Sequence, residues 1–116
     1  MSALPDLVAI VPVATTVAAS SLVVKATPGQ LMAMVAATGA VAGYVMLFDA
    51  AAAPADGAVS PVWVSGLIAA NTSVTVFAVN GGPGIRFNTG IVAVFSSTGP
   101  FTKTASATAY ISGLVA

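Results

Sequence analysis

The sequence predicts an all-β, single-domain β-sandwich, jelly-roll-like and built of about eight strands, with an extended arm before it. Three observations carry this. Short β-prone runs recur at even spacing, turn residues punctuate them, and most runs are apolar on both faces. The arm or edge strand covers residues 1–20 and the sandwich covers 21–116.

In chain order, residues 1–20 read MSALPDLVAIVPVATTVAAS, an apolar stretch interrupted by Pro5, Asp6 and Pro12 with no basic segment ahead of it. A signal peptide needs that basic segment. Proline cannot donate to a central ladder, so an arm or edge strand fits better. Strand-like runs follow at 21–26, 31–37, 41–49, 61–68, 73–79, 84–87, 90–97 and 104–115. Between them stand Thr27-Pro28-Gly29, Thr38-Gly39, a long loop over 50–60, Ala70-Asn71-Thr72, Asn80-Gly81-Gly82-Pro83, Asn88-Thr89 and Ser97-Thr98-Gly99-Pro100.

Two segments admit a second reading. Thr27-Pro28-Gly29-Gln30 before LMAMVAA resembles a helix start, but an isolated helix of some eight residues gains little without a long amphipathic face, which favours a strand. Residues 31–48 run without a charge for the minimum length of a spanning helix. Thr38-Gly39, Gly43, a β-branched and aromatic tail and the lack of flanking basic clusters argue against a membrane span.

Composition restricts function. The chain has 116 residues, no net charge and 5% charged residues, against about 25% in ordinary soluble domains. A monomer with so little charge has nothing to keep copies apart, so its faces are expected to be covered by neighbours. In SVTVFAV and GIVAVFSS both faces are largely apolar, whereas a two-layer sandwich should have a polar outer face. The outer cover is expected to be another subunit or the arm. Lys25, Arg86 and Lys103 are too few to neutralise a run of phosphates, which argues against a nucleic-acid partner.

Chemistry is sparse. Histidine, cysteine and glutamate are absent, so a Ser-His-Asp triad and thiolate sites are excluded. The carboxylates are Asp6, Asp49 and Asp56. Asp49 and Asp56 flank one loop and read first as turn formers, with a shared calcium ion as the sharper alternative. Asn80 to Gly84 lacks the Gly-Lys-Ser/Thr of a phosphate loop and reads as a hairpin connection. Asn71-Thr72-Ser73 fits a glycosylation sequon but reads first as a turn. Arg86 is expected to be a structural charge paired with Asp49. Lys103 reads first as a solvated residue guarding a sticky strand, with the sharper alternative that Phe101 and Lys103 project together from the 97–100 turn as a contact point on a partner.

Three stretches carry a family resemblance: SLVVKATPGQL (21–31), AGYVMLFDAAAAPADGAVSPVW (42–63) and GIRFNTGIVAVFSSTGPFTKTASATAYISG (84–113). Together they resemble small β-sandwich structural proteins of tailed bacteriophages and prophages. The resemblance covers most of the chain after Ser20 and carries no catalytic motif. It implies a virion component on the capsid surface that is not an enzyme, binds no cofactor and works through protein contacts. The expected role is capsid decoration (cement), by a homo-oligomer, with a trimer as the expected form, bound to the major capsid protein or other virion proteins. A tail, neck or head-fibre component of the same virion is the alternative. A lectin-like host-surface module is less favoured, because the chain has few aromatic rings.

Overall fold

A computed structural model describes residues 10–78 and 84–116, with Phe77 described by its backbone alone. The expected hairpin connection at Asn80 to Pro83 and the first nine residues lie outside the described residues. The strands are β1 (Val11–Ala14), β2 (Ser21–Lys25), β3 (Gly29–Thr38), β4 (Tyr44–Phe48), β5 (Gly57–Ala58), β6 (Trp63–Val64), β7 (Ser73–Ala78), β8 (Ile85–Phe87), β9 (Ile91–Ser96), β10 (Thr102–Lys103) and β11 (Ala109–Val115).

Two antiparallel sheets form a β-sandwich. One has the order β1-β11-β3-β7, with β8 continuing the β7 edge along the start of β3, and the other has the order β2-β9-β4-β6. Leaving aside β5 and β10, which pair in a separate ribbon, and β8, which extends the β7 edge, eight strands remain, and their pairing is regular. The first pairs with the last (β1 with β11), the second with the seventh (β2 with β9), the third with the sixth (β3 with β7) and the fourth with the fifth (β4 with β6). Contacts of β11 with β3 and of β9 with β4 join these pairs into sheets. This is the connectivity of a jelly roll, a long antiparallel ribbon wound so that successive pairs fall in opposite sheets. Pro12 sits on β1 at the sheet edge, where its missing N–H costs no central hydrogen bond.

The winding also sorts the connections into two ends. At one end lie 15–20, 39–43, 65–72 and 97–108, which are tied together by Ala19 N–H to Ala109 C=O, Gly39 N–H to Thr108 C=O and Asn71 N–H to Gly39 C=O. Thr38, almost fully buried, donates through Oγ1 to Ala69 C=O at 2.6 Å and accepts from Thr72 N–H at 2.9 Å. Asn71 takes φ 54°, a left-handed conformation that Asn tolerates, so the sequon segment is a turn. At the opposite end lie the β2–β3 corner, the β4–β6 loop and the β8–β9 turn.

Between the sheets, Leu31, Met34, Ala36 and Ile111 face Val45, Leu47, Ile91 and Phe95, all 0 or 1% exposed. In β3 the inward residues are Leu31, then Met34 and Ala36. The step of three comes from a register shift, since Leu114 pairs with Ala33 but Val115 with Leu31, leaving Met32 as the extra residue of a bulge. The strand expected over 31–37 therefore forms, and 31–48 is two strands and a turn. No helix among the described residues is long and apolar enough to cross a membrane.

All six residues of β9 are buried. Ala93 and Phe95 enter the inter-sheet core, while Val92 and Val94 join Met46 and Phe48 in a second cluster on the outer face. The chain itself covers this cluster. The β4–β6 loop folds back, β5 pairs with β10, Val59 packs on the cluster and donates its N–H to Phe101 C=O. For this sheet the expectation of cover by a subunit or by the arm is corrected. A flap from the long loop and the β9–β11 connection does it.

Candidate functional site

Asp49 and the turn after β8 form one corner. The Asp49 carboxylate accepts the backbone N–H groups of Asn88 (3.1 Å), Thr89 (2.7 Å) and Gly90 (3.3 Å). These bonds, that of Thr89 foremost, hold its pKa below the usual aspartate value. A Cβ at Gly90 would lie 2.5 Å from Ala50 C=O, so only glycine lets the turn approach close enough for the carboxylate to reach it. This corrects the expected Arg86–Asp49 pair. Arg86 lies on β8 opposite Gln30 with an exposed side chain, and the Asp49 oxygens are taken by backbone donors.

Lys103 is the second correction. Its side chain is 7% exposed, and its Nζ donates to Asp56 Oδ1 at 3.0 Å and to Pro54 C=O at 2.8 Å. It is therefore no solvated guard; it anchors the flap. Among the described residues this is the single ion pair. Asp56 also accepts Ala105 N–H, and the Lys103 hydrogen bond, ahead of that one, lowers its pKa. Beneath the flap, buried Ser96 Oγ accepts Thr104 N–H at 2.9 Å and Thr98 N–H at 3.2 Å and donates to Thr98 C=O, fixing the turn that carries Phe101. Phe101 itself points outward, 65% exposed. Phe101 and Lys103 thus diverge: one binds inward to the flap, the other faces solvent. With Asp49 and Asp56 each committed to different N–H donors, the shared calcium site is not assembled. Among the described residues no three His, Cys, Asp or Glu side chains cluster to hold a metal.

What remains is surface. Lys25, Asp49 and Arg86 all sit at the end of the roll with the β2–β3 corner and the β8–β9 turn, where Lys25 Nζ donates to Ala116 C=O at 3.3 Å. The connections at the other end hold Lys103, buried and paired with Asp56 of the flap, whose half-exposed carboxylate also reaches Ala105 N–H there. Val17 (66%), Leu67 (64%) and Phe101 (65%), the most exposed large apolar side chains, all lie on those connections. Sequence reasoning identified Phe101 and missed Val17 and Leu67. The available signal was a large apolar residue, Val17 in TTVAAS and Leu67 in SGLIAAN, set among mostly small ones between strands. The outward row of the β1-β11-β3-β7 sheet is apolar too, with Tyr110 53%, Leu114 41% and Val35 38% exposed.

Charge thus gathers at one end, while the three most exposed large apolar side chains lie at the other; Val62, Ile10 and Val11 expose apolar surface at the charged end as well. Such an arrangement can make dry protein contacts. Comparison with protein-family models, curated proteins and solved structures gave no match to this chain.

Proposed function

We propose that this protein is a structural component of a bacteriophage virion, a capsid decoration protein that docks on the assembled shell through its uncharged end. The observation that carries the reading is the gathering of Val17, Leu67 and Phe101 on the connections of that end, away from Lys25, Asp49 and Arg86. Burying each of these side chains in a partner contributes on the order of 1–2 kcal/mol, and no ionic group there has to be desolvated unpaired. A ligand that binds only the assembled shell stabilises it by mass action, which is the whole of the mechanism.

Three further points support the reading. Jelly rolls recur in viral capsid domains, a fold-level analogy. The three stretches quoted above resemble phage structural proteins. The polar groups with perturbed pKa values, Asp49 and Asp56, hold a turn and the flap in place. In this reading the protein is not an enzyme and needs no cofactor.

The test is add-back. Purified protein is mixed with capsids that lack it, and binding and shell melting are measured. Saturable binding with a raised shell melting temperature is expected. Failure to bind any capsid form, with density for the protein found instead in the tail or neck of a particle reconstruction, would move it to that part of the virion.

A further inference from the structure

We propose that the outer face of the β1-β11-β3-β7 sheet pairs with the same face of a second copy, Tyr110 of each seating in a depression on the other. This pairing stands apart from the capsid reading and does not depend on it. Among the described residues, the chain covers the outer face of one sheet with its own flap and places no such cover on the outer face of the other. That second face is only partly polar. Register places Pro12, Leu114, Ala33 and Ala78 in one outward row, Ala14, Ser112, Val35 and Thr75 in the next, and Tyr110, Ala37 and Ser73 in a third. No outward position on these four strands bears a charge; the exposed Arg86 lies beside them on β8, opposite Gln30. An antiparallel sheet meant for water alternates to polar residues on its wet face.

The face also has relief. Around the small side chains of Ala14, Ala33 and Ser112 lies a depression of about 270 Å³, bordered by Pro12, Val35 and Leu114. Tyr110 stands beside it, 53% exposed and two residues from Ser112 on the same strand face, roughly 7 Å away. A knob and a hole on one patch are what a two-fold contact needs, because residue i of each copy then meets residue j of the other. A tyrosine suits the role: it brings a large rigid ring, and its hydroxyl reaches the rim.

Area sets the strength. The four strands hold 4, 7, 10 and 6 residues, which at about 4.8 Å by 3.3 Å per residue give a face of roughly 430 Å² per copy. Two copies bury roughly 850 Å², the size of a weak, reversible contact. The expected species is thus a reversible dimer, in place of the trimer expected from the sequence.

The test is light scattering and sedimentation across a wide concentration range. Wild type is expected to pass from monomer to dimer. Tyr110→Ala, which removes the knob, and Ser112→Trp, which fills the hole, should each weaken the dimer at least about tenfold, and Tyr110→Phe should stay within about threefold of wild type. Mixing Tyr110→Ala with Ser112→Trp should restore association, since the enlarged side chain of one meets the space vacated on the other. Both positions are at the surface, and an unchanged circular dichroism spectrum verifies the fold of each variant. A single copy at every concentration, a trimer, an oligomer indifferent to Tyr110→Ala, or a mixture no better than its components overturns the proposal.

Discussion

The Lys103 ammonium lies 3.0 Å from the Asp56 carboxylate, yet the lysine side chain is 7% exposed and the aspartate side chain 56%. The pair is lopsided, and the two ways of breaking it have different consequences. Asp56→Ala strands a buried ammonium with Pro54 C=O as its remaining bonded partner. Lys103→Met leaves a carboxylate that water already reaches, and puts an apolar chain of similar length in the buried position. Removing the exposed partner of a buried charge is the costlier change. Asp56→Ala should lower the melting temperature by several degrees, and Lys103→Met by less than half as much. Equal losses would show that the flap does not depend on the buried charge.

Acid sensitivity follows from the same carboxylates. The backbone donors at Thr89, Asn88 and Gly90 lower the pKa of Asp49, and Lys103 followed by Ala105 lowers that of Asp56. A carboxylate whose folded pKa lies below its unfolded value of about 3.9 adds stability that is complete well above that value and is lost as pH falls through the folded pKa. Melting temperature should be flat from neutral pH to about 5 and fall below about 4. Asp49→Asn, which loses a charged acceptor, should start lower and show a shallower acid decline.

Burial of β9 on both faces gives a third prediction. Ala93 and Val94 are both 0% exposed, one in the inter-sheet core and the other under the flap. Were the outer face wet, Val94→Asp would be tolerated. Because the flap closes over it, Val94→Asp should be as damaging as Ala93→Asp, and each should prevent folding or cost at least about 3 kcal/mol in denaturant unfolding. By comparison, Phe95→Ala should cost about 3–5 kcal/mol, as an aromatic deletion in a close-packed core does.

These elements also show where the sequence was readable. The sandwich of about eight strands was, because period-2 apolar runs and Gly/Pro/Asn turns fix strand number and spacing, and strands such as SVTVFA and IVAVFS formed within a residue of their expected limits; the order of the strands in the two sheets was not. LMAMVAA looked partly helical because Thr27-Pro28-Gly29-Gln30 imitates a helix start, yet it is a strand. Its bulge at Met32, which sets the inward Leu31 and Met34 three apart, had no signal in the sequence. The Asp56–Lys103 and Asp49–Asn88/Thr89/Gly90 contacts join residues 39 to 47 positions apart, and local pattern holds no trace of them. Opposite charge alone suggested Arg86 for Asp49, but the backbone N–H groups of a tight turn took the carboxylate. The apolar outer face of β9 was legible, but its cover was not, because a loop of short side chains gives no sign that it folds back.

Docking through the uncharged end makes the last prediction, and it separates that end from the charged one. A contact made by Val17, Leu67 and Phe101 gains from apolar burial, which salt does not screen, so capsid binding should persist in molar sodium chloride. An aspartate placed in such a contact must be desolvated without a partner, at a cost of several kcal/mol. Leu67→Asp and Phe101→Asp should therefore weaken capsid binding at least about a hundredfold while leaving the melting temperature of the free protein near that of wild type, since both side chains already face water. Lys25→Ala and Arg86→Ala, at the other end, should change binding by less than about threefold. If the Lys25 and Arg86 variants lose binding and the Leu67 and Phe101 variants keep it, the docking end has been assigned the wrong way round, and salt should then strip the protein from its particle.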